Sequence, residues 1–189
     1  MSTETQSNTA RPHPPSGIKA LLAEMNRNLE TLPELLVKLQ PLFEKGTTLG
    51  ELKSVTADEL EQIYKVAYDL CQQEAYEDAL TVLLNLIAHN PRDPRFHFAT
   101  AMCFQQIQEP IPAAMLYAQA LLLDPADAAS AFRMGEALAA TGQLEQATQA
   151  FDMALVLINA DYDRYHHLYG PAQTWLQQLR VTPSATAAG

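Results

Sequence analysis

Three aromatic residues at one spacing offer the most chemistry in this chain. Tyr64, Phe98 and Phe132 stand 34 residues apart, and with Tyr68 and Met102 they make an apolar strip wherever the fold presents them on one face. Such a strip binds; it does not catalyse. Gln72, Gln105 and Gln106 fall where their amides can bond the backbone of a bound segment, and Arg95 and Arg133 where a guanidinium can hold a carboxylate or carbonyl. The competing reading is that the aromatics only pack between neighbouring helices. His166 and His167, with Asp161 and Asp163, are metal-ligand types. Adjacent residues on a helix point about 100° apart, however, so the histidines form no ligand pair and read as solvated or capping groups. Cys71 and Cys103 lack C-x-x-C spacing and sit in apolar helical context, which favours reduced core or groove thiols over a disulfide or a zinc site. The sequence contains no P-loop, G-x-S-x-G, H-E-x-x-H or dinucleotide fingerprint. An enzyme is not expected, nor a metal or a cofactor.

Charge narrows the partner. Residues 1–57 carry six Lys/Arg against six Glu, whereas 58–189 carry six against sixteen Asp/Glu, so the whole net charge of −10 falls on the second part. A nucleic-acid binder needs basic side chains to displace counterions, which this surface lacks. Neither a secretion signal nor a membrane span is legible, which predicts a soluble cytoplasmic protein with no direct membrane binding.

The elements that must position the strip repeat. Ala79, Ala113 and Ala147 are 34 residues apart, as are Leu83, Tyr117 and Phe151, then Leu86, Ala120 and Ala154, and Ala67, Ala101 and Gly135. Pro91 and Pro125 keep the period, with Asn159 in the third place. This is the tetratricopeptide pattern. It predicts an all-α fold of three tandem helical hairpins at about 60–93, 94–127 and 128–161, forming a concave groove, with a capping helix over 162–180. Small residues let the two helices of a hairpin approach closely, and proline ends the second helix. Pro110 and Pro112 mark the turn and first residues of one helix, and Asp93-Pro94 reads as N-cap and first residue of the next. Gly170-Pro171 predicts a bend or break in the last helix. Thr56 and Glu59 have capping-box spacing, so a helix should start near Ala57. Ahead of this 57–180 repeat domain, residues 1–17 are a polar tail, and 18–56 form an N-terminal helical region opening on the Ile18, Leu21, Leu22, Met25, Leu29, Leu32 stripe. Residues 181–189 are a second tail.

The G-x-T-L turn at Gly46–Leu49, the L-x-x-[IL]-Y-x-x-[AG]-[YF] stretch at Leu60–Tyr68 and the three repeats with a terminal helix resemble the class II chaperones of bacterial type III secretion, the LcrH/SycD kind. The resemblance spans residues 43 to about 179. It implies a cytoplasmic chaperone that keeps one or two hydrophobic translocator proteins soluble, apart and undegraded, holding a P-x-L-x-x-P-like segment extended in the groove. The matching groove positions are Tyr64, Tyr68, Phe98, Met102, Gln105 and Phe132. It also implies a homodimer through the N-terminal region, here Leu35, Leu36, Leu39, Leu42, Phe43, Leu49 and Leu52. The chain departs from the family at Thr47, where a second glycine is common, and at Gln108-Glu109-Pro110, which replaces the usual turn glycine. A tetratricopeptide adaptor of another assembly system, such as pilus biogenesis, is the alternative that the repeats alone allow.

Overall fold

Thr56 starts the first helix of the stack. The computed structural model describes Thr48, Gly50 and residues 55–181. Thr56 Oγ1 accepts the Glu59 N–H at 3.2 Å while the Glu59 carboxylate accepts the Thr56 N–H at 2.8 Å, the reciprocal capping box. These bonds from Thr56, backbone first, hold the Glu59 carboxyl below its usual range. Seven helices then follow among the described residues, with no strand: α1 (Ala57–Gln72), α2 (Tyr76–His89), α3 (Pro94–Gln106), α4 (Pro110–Leu123), α5 (Ala128–Ala140), α6 (Leu144–Ala160) and α7 (Tyr162–Val181). Each packs on the next, and α7 also touches α5.

The hairpin turns are built alike. Glu74, Gln108 and Gly142 occupy equivalent places and all have positive φ, at 59°, 64° and 76°. The N–H after each donates to the carbonyl five residues back: Ala75 to Leu70 at 3.0 Å, Glu109 to Phe104 at 2.9 Å, and Gln143 to Leu138 at 3.0 Å. That is the Schellman closure of a helix end. The middle repeat's missing glycine therefore changes the residue and leaves the turn. Gln108 adopts the left-handed conformation at a cost of roughly 1–2 kcal/mol.

Small residues sit where two helices meet. Ala67, Ala101 and Gly135 are buried, and a Cβ on Gly135 would stand 2.8 Å from the Phe151 ring. Proline sets the helix ends. α2 stops at His89, ahead of Pro91, and α4 at Leu123, ahead of Pro125. α6 has Asn159 in that place and runs to Ala160, three residues beyond the equivalent end of α4. Asp93 and Asp127 cap α3 and α5, accepting backbone N–H groups from Arg95 and from Ala129 and Ser130.

The core runs through the stack as Ile63, Leu83, Phe96, Tyr117, Phe151 and Ile158, all essentially without solvent exposure. α7 closes it with Tyr165, Ala172 and Leu176 buried, and with Trp175 stacked on Phe151 at 5.4 Å between ring centres. Of the bend or break expected at Gly170-Pro171, the break is absent, since α7 continues through Pro171. Gly170 has no Cβ to collide with the proline ring, which removes the usual obstacle to helix before proline. Pro171 itself is exposed, so the carbonyl it leaves unpaired within the helix is on the solvent side.

No helix among the described residues is long and apolar enough to cross a membrane. The tail at 1–17, almost all of the region at 18–56 and the tail beyond 181 lie outside the described residues. So do all seven residues assigned to dimerisation: Leu35, Leu36, Leu39, Leu42, Phe43, Leu49 and Leu52. Gly50, which is described, lies against the end of α2, where a Cβ would come within 2.9 Å of the His89 carbonyl oxygen.

Candidate peptide-binding groove

The first helices of the three hairpins and α7 line one side of the stack. There a cleft of about 270 Å³ opens between Tyr64 of α1, Pro94, Arg95 and Phe98 of α3, Ala129 of α5, Arg164 and Tyr165 of α7, and the Asp124 and Asp127 carboxylates. Tyr64 and Phe98 are each half-buried, their rings supported from beneath. Tyr64 lies 5.4 Å from Phe96, and Phe98 meets Tyr117 edge-on at 5.3 Å. Support of this kind fixes an aromatic in place while leaving one face for a ligand. Burial pushes the Tyr64 hydroxyl's pKa up, so it remains a neutral donor.

Phe132, the third equivalent aromatic, is only 4% exposed and packs edge-on against Phe151 at 5.5 Å. It stands about one turn before Gly135, whose missing Cβ lets α6 in close, and so its ring is drawn into the core. Two of the three aromatics thus line the cleft, and the third lies beneath it. Tyr68 is 55% exposed and Met102 half-buried against the α1–α3 core. Gln72 is exposed. Gln105 is half-buried and its Oε1 accepts the Tyr117 O–H at 2.9 Å, so its amide N–H groups are not used in that bond.

Both arginines already have carboxylate partners. Arg95 donates to Asp93 from Nε at 3.0 Å and from Nη2 at 2.7 Å, reaches Glu61 at 3.0 Å, and lies 5.2 Å from the centre of the Tyr64 ring. It clips α1 to the start of α3, and these bonds, that to Asp93 first, raise its pKa further. Arg133 pairs with Glu136 at 2.8 Å. His166 and His167 are exposed, with their rings nearly perpendicular at 88°.

The cleft also contains residues the sequence reading did not select. Tyr165 closes its far end, its O–H donating to Asp127 Oδ1 at 2.9 Å, and Arg164 lies over its ring at 4.8 Å. Burial first, then the bond to Asp127, pushes the Tyr165 pKa up to about 12. The period held the missed signal. One more step of 34 aligns Tyr165 with Ala131, His97 and Ile63, which places α7 as a fourth first-helix beside the cleft and not only as a cover. Ala129, small where Arg95 stands one repeat earlier, opens the space between.

No protein-family model matches the chain. Over 157 residues, 83% of this chain and 93% of the relative, it is 25% identical to low calcium response locus protein H of Yersinia pestis. Its fold matches the type III secretion translocator chaperone SycD of Yersinia enterocolitica with a TM-score of 0.64 and 27% identity, covering 69% of this chain and 97% of SycD. SycD in complex with a peptide of the translocator YopD gives a TM-score of 0.64 at 26% identity, covering 67% of this chain and 96% of that one. The chain is a homologue of the Yersinia low calcium response locus protein H, with the all-α, tetratricopeptide-like fold of the type III secretion translocator chaperones.

Proposed function

We propose that this protein is a cytoplasmic type III secretion chaperone, not an enzyme, which holds an extended segment of one or two hydrophobic translocator proteins. The cleft on the first-helix side carries this reading, because it presents two braced aromatics on adjacent helices. Adjacent helices lie about 8–10 Å apart and an extended chain advances about 3.3 Å per residue. A bound segment therefore advances about three residues between Tyr64 and Phe98, the L-x-x-P spacing within P-x-L-x-x-P. Tyr64 and Phe98 take those anchors, with Tyr68 and Met102 extending the apolar strip. Gln72 and Gln105 donate to backbone carbonyls. Arg95 and Arg133 order the rim, and Phe132 supports it from the core. The homology to the Yersinia low calcium response locus protein H, and the translocator peptide held by the type III secretion chaperone SycD, support the client class. The client-free protein forms a homodimer through residues of the 18–56 region.

Fluorescence anisotropy with a labelled P-x-L-x-x-P peptide tests the groove. Phe98→Ala removes a ring worth about 1–3 kcal/mol of binding, which weakens affinity roughly 5- to 150-fold. Unchanged affinity in a folded Phe98→Ala protein would remove Phe98 from the site.

A further inference from the structure

Cys71 and Cys103 were legible in the sequence only as separate apolar thiols. In the structure both are free and buried, on α1 and α3, and their Sγ atoms are 3.3 Å apart. Cys103 has no solvent exposure and Cys71 has 8%, so a small oxidant reaches the pair at Cys71. Nothing in packing alone demands two thiols here, since the places around them in the α1–α3 core are filled by ordinary apolar residues.

We propose that Cys71 and Cys103 form an oxidant-responsive thiol pair, which a hydroperoxide converts into a disulfide tying α1 to α3. The Cys71 thiolate attacks the protonated oxygen of the peroxide, the O–O bond breaks, alkoxide leaves (hydroxide from hydrogen peroxide), and Cys71 becomes a sulfenic acid. The Cys103 sulfur then attacks Cys71 Sγ; the S–S bond forms, the S–O bond breaks, and the Cys103 proton leaves with the hydroxyl as water. Two electrons pass from the pair to the peroxide. Closing the contact to bonding distance requires a shift of about 1.3 Å, a side-chain adjustment between helices already in contact. The roles follow from access: Cys71 is the thiol an oxidant meets first, and Cys103 lies behind it. Either thiol can donate across the contact; a bond donated by Cys103 lowers the Cys71 pKa despite its burial and raises that of Cys103. A low-pKa thiol beside a resolving one is the arrangement that redox-sensing cysteines use. In a reducing cytoplasm the pair rests as the dithiol and closes only under oxidant. The cross-link joins the helices that carry Tyr64 and Phe98, and so fixes their separation.

The test uses the full chain, folded, treated with hydrogen peroxide and then unfolded in iodoacetamide for mass spectrometry. The expected product is monomeric, lighter by two hydrogen atoms, alkylated at neither cysteine, and yields one peptide pair linked through Cys71 and Cys103. Dithiothreitol reverses it, and the oxidised form melts at a higher temperature than the reduced form. Cys103→Ser should trap the Cys71 sulfenic acid as a dimedone adduct. Alkylation of both cysteines after peroxide, a cross-link found only between chains, or no adduct in a folded Cys103→Ser protein would each overturn the proposal.

Discussion

Gly135→Ala adds one carbon at a place where the structure has no room for it. The new Cβ would stand 2.8 Å from Phe151 Cε1 and 2.9 Å from both Cδ1 and Cζ. The ring has nowhere to go, because Phe151 is fully buried, with Phe132 edge-on at 5.5 Å on one side and Trp175 stacked at 5.4 Å on the other. Two effects oppose each other. Replacing glycine by alanine within a helix gains about 1 kcal/mol, while overpacking a filled core costs about 1–3 kcal/mol. With the ring braced by two aromatics the cost lies near the top of that range, which leaves a net loss of about 2 kcal/mol. In a chain of this size the midpoint of thermal unfolding then falls by roughly 4–8 °C. Phe151→Leu supplies the control. It removes the obstructing ring, so in that background Gly135→Ala should recover its gain of about 1 kcal/mol, a coupling of about 3 kcal/mol across the double-mutant cycle. Urea unfolding followed by circular dichroism measures all four proteins. A Gly135→Ala protein as stable as the wild type, or an equal effect of the substitution in both backgrounds, would refute the reasoning.

Gln108→Gly should stabilise the fold by about 0.5–1 kcal/mol, because the turn's left-handed conformation costs glutamine roughly 1–2 kcal/mol and glycine's unfolded-state entropy returns about 0.4–1 kcal/mol of that gain. The same urea assay reads it, and a loss of stability would contradict the turn assignment. The Tyr165 hydroxyl, raised from 10.0 to about 12 in the folded chain, binds its proton more tightly there than in the unfolded chain. Its contribution is fully present below about pH 10 and is lost as pH rises through about 12. Tyr165→Phe should therefore lose less stability than the wild type between those values; an identical pH profile would contradict the burial and Asp127 contact assigned to this hydroxyl.

The sequence showed most where a single residue type controls the backbone. The capping box at Thr56, the proline starts of α3 and α4 and the proline stops after α2 and α4 depend on local geometry and could be read without neighbours. The period of 34 told which residues are equivalent, and so which helices stack. It did not tell what each equivalent residue meets. Tyr64, Phe98 and Phe132 share one place in the repeat, yet Phe132 is drawn into the core because the helix partner across from it carries Phe151 beside a glycine. The continuity of α7 through Pro171 was hidden for a related reason, since glycine before proline reads as a breaker unless the absence of its Cβ is weighed against the proline ring. The 3.3 Å contact between Cys71 and Cys103 depends on how two successive hairpins nest, a distance no spacing rule supplies.

Co-purification from the native host, with quantitative mass spectrometry, tests the central claim most directly. Wild type is compared with Tyr64→Ala/Phe98→Ala after circular dichroism has established that both are folded. A hydrophobic secreted protein is expected bound to the wild type and lost from the double variant. Membrane-assembly components retained equally by both proteins would contradict it, and would leave the aromatic strip as packing and the chain as an adaptor.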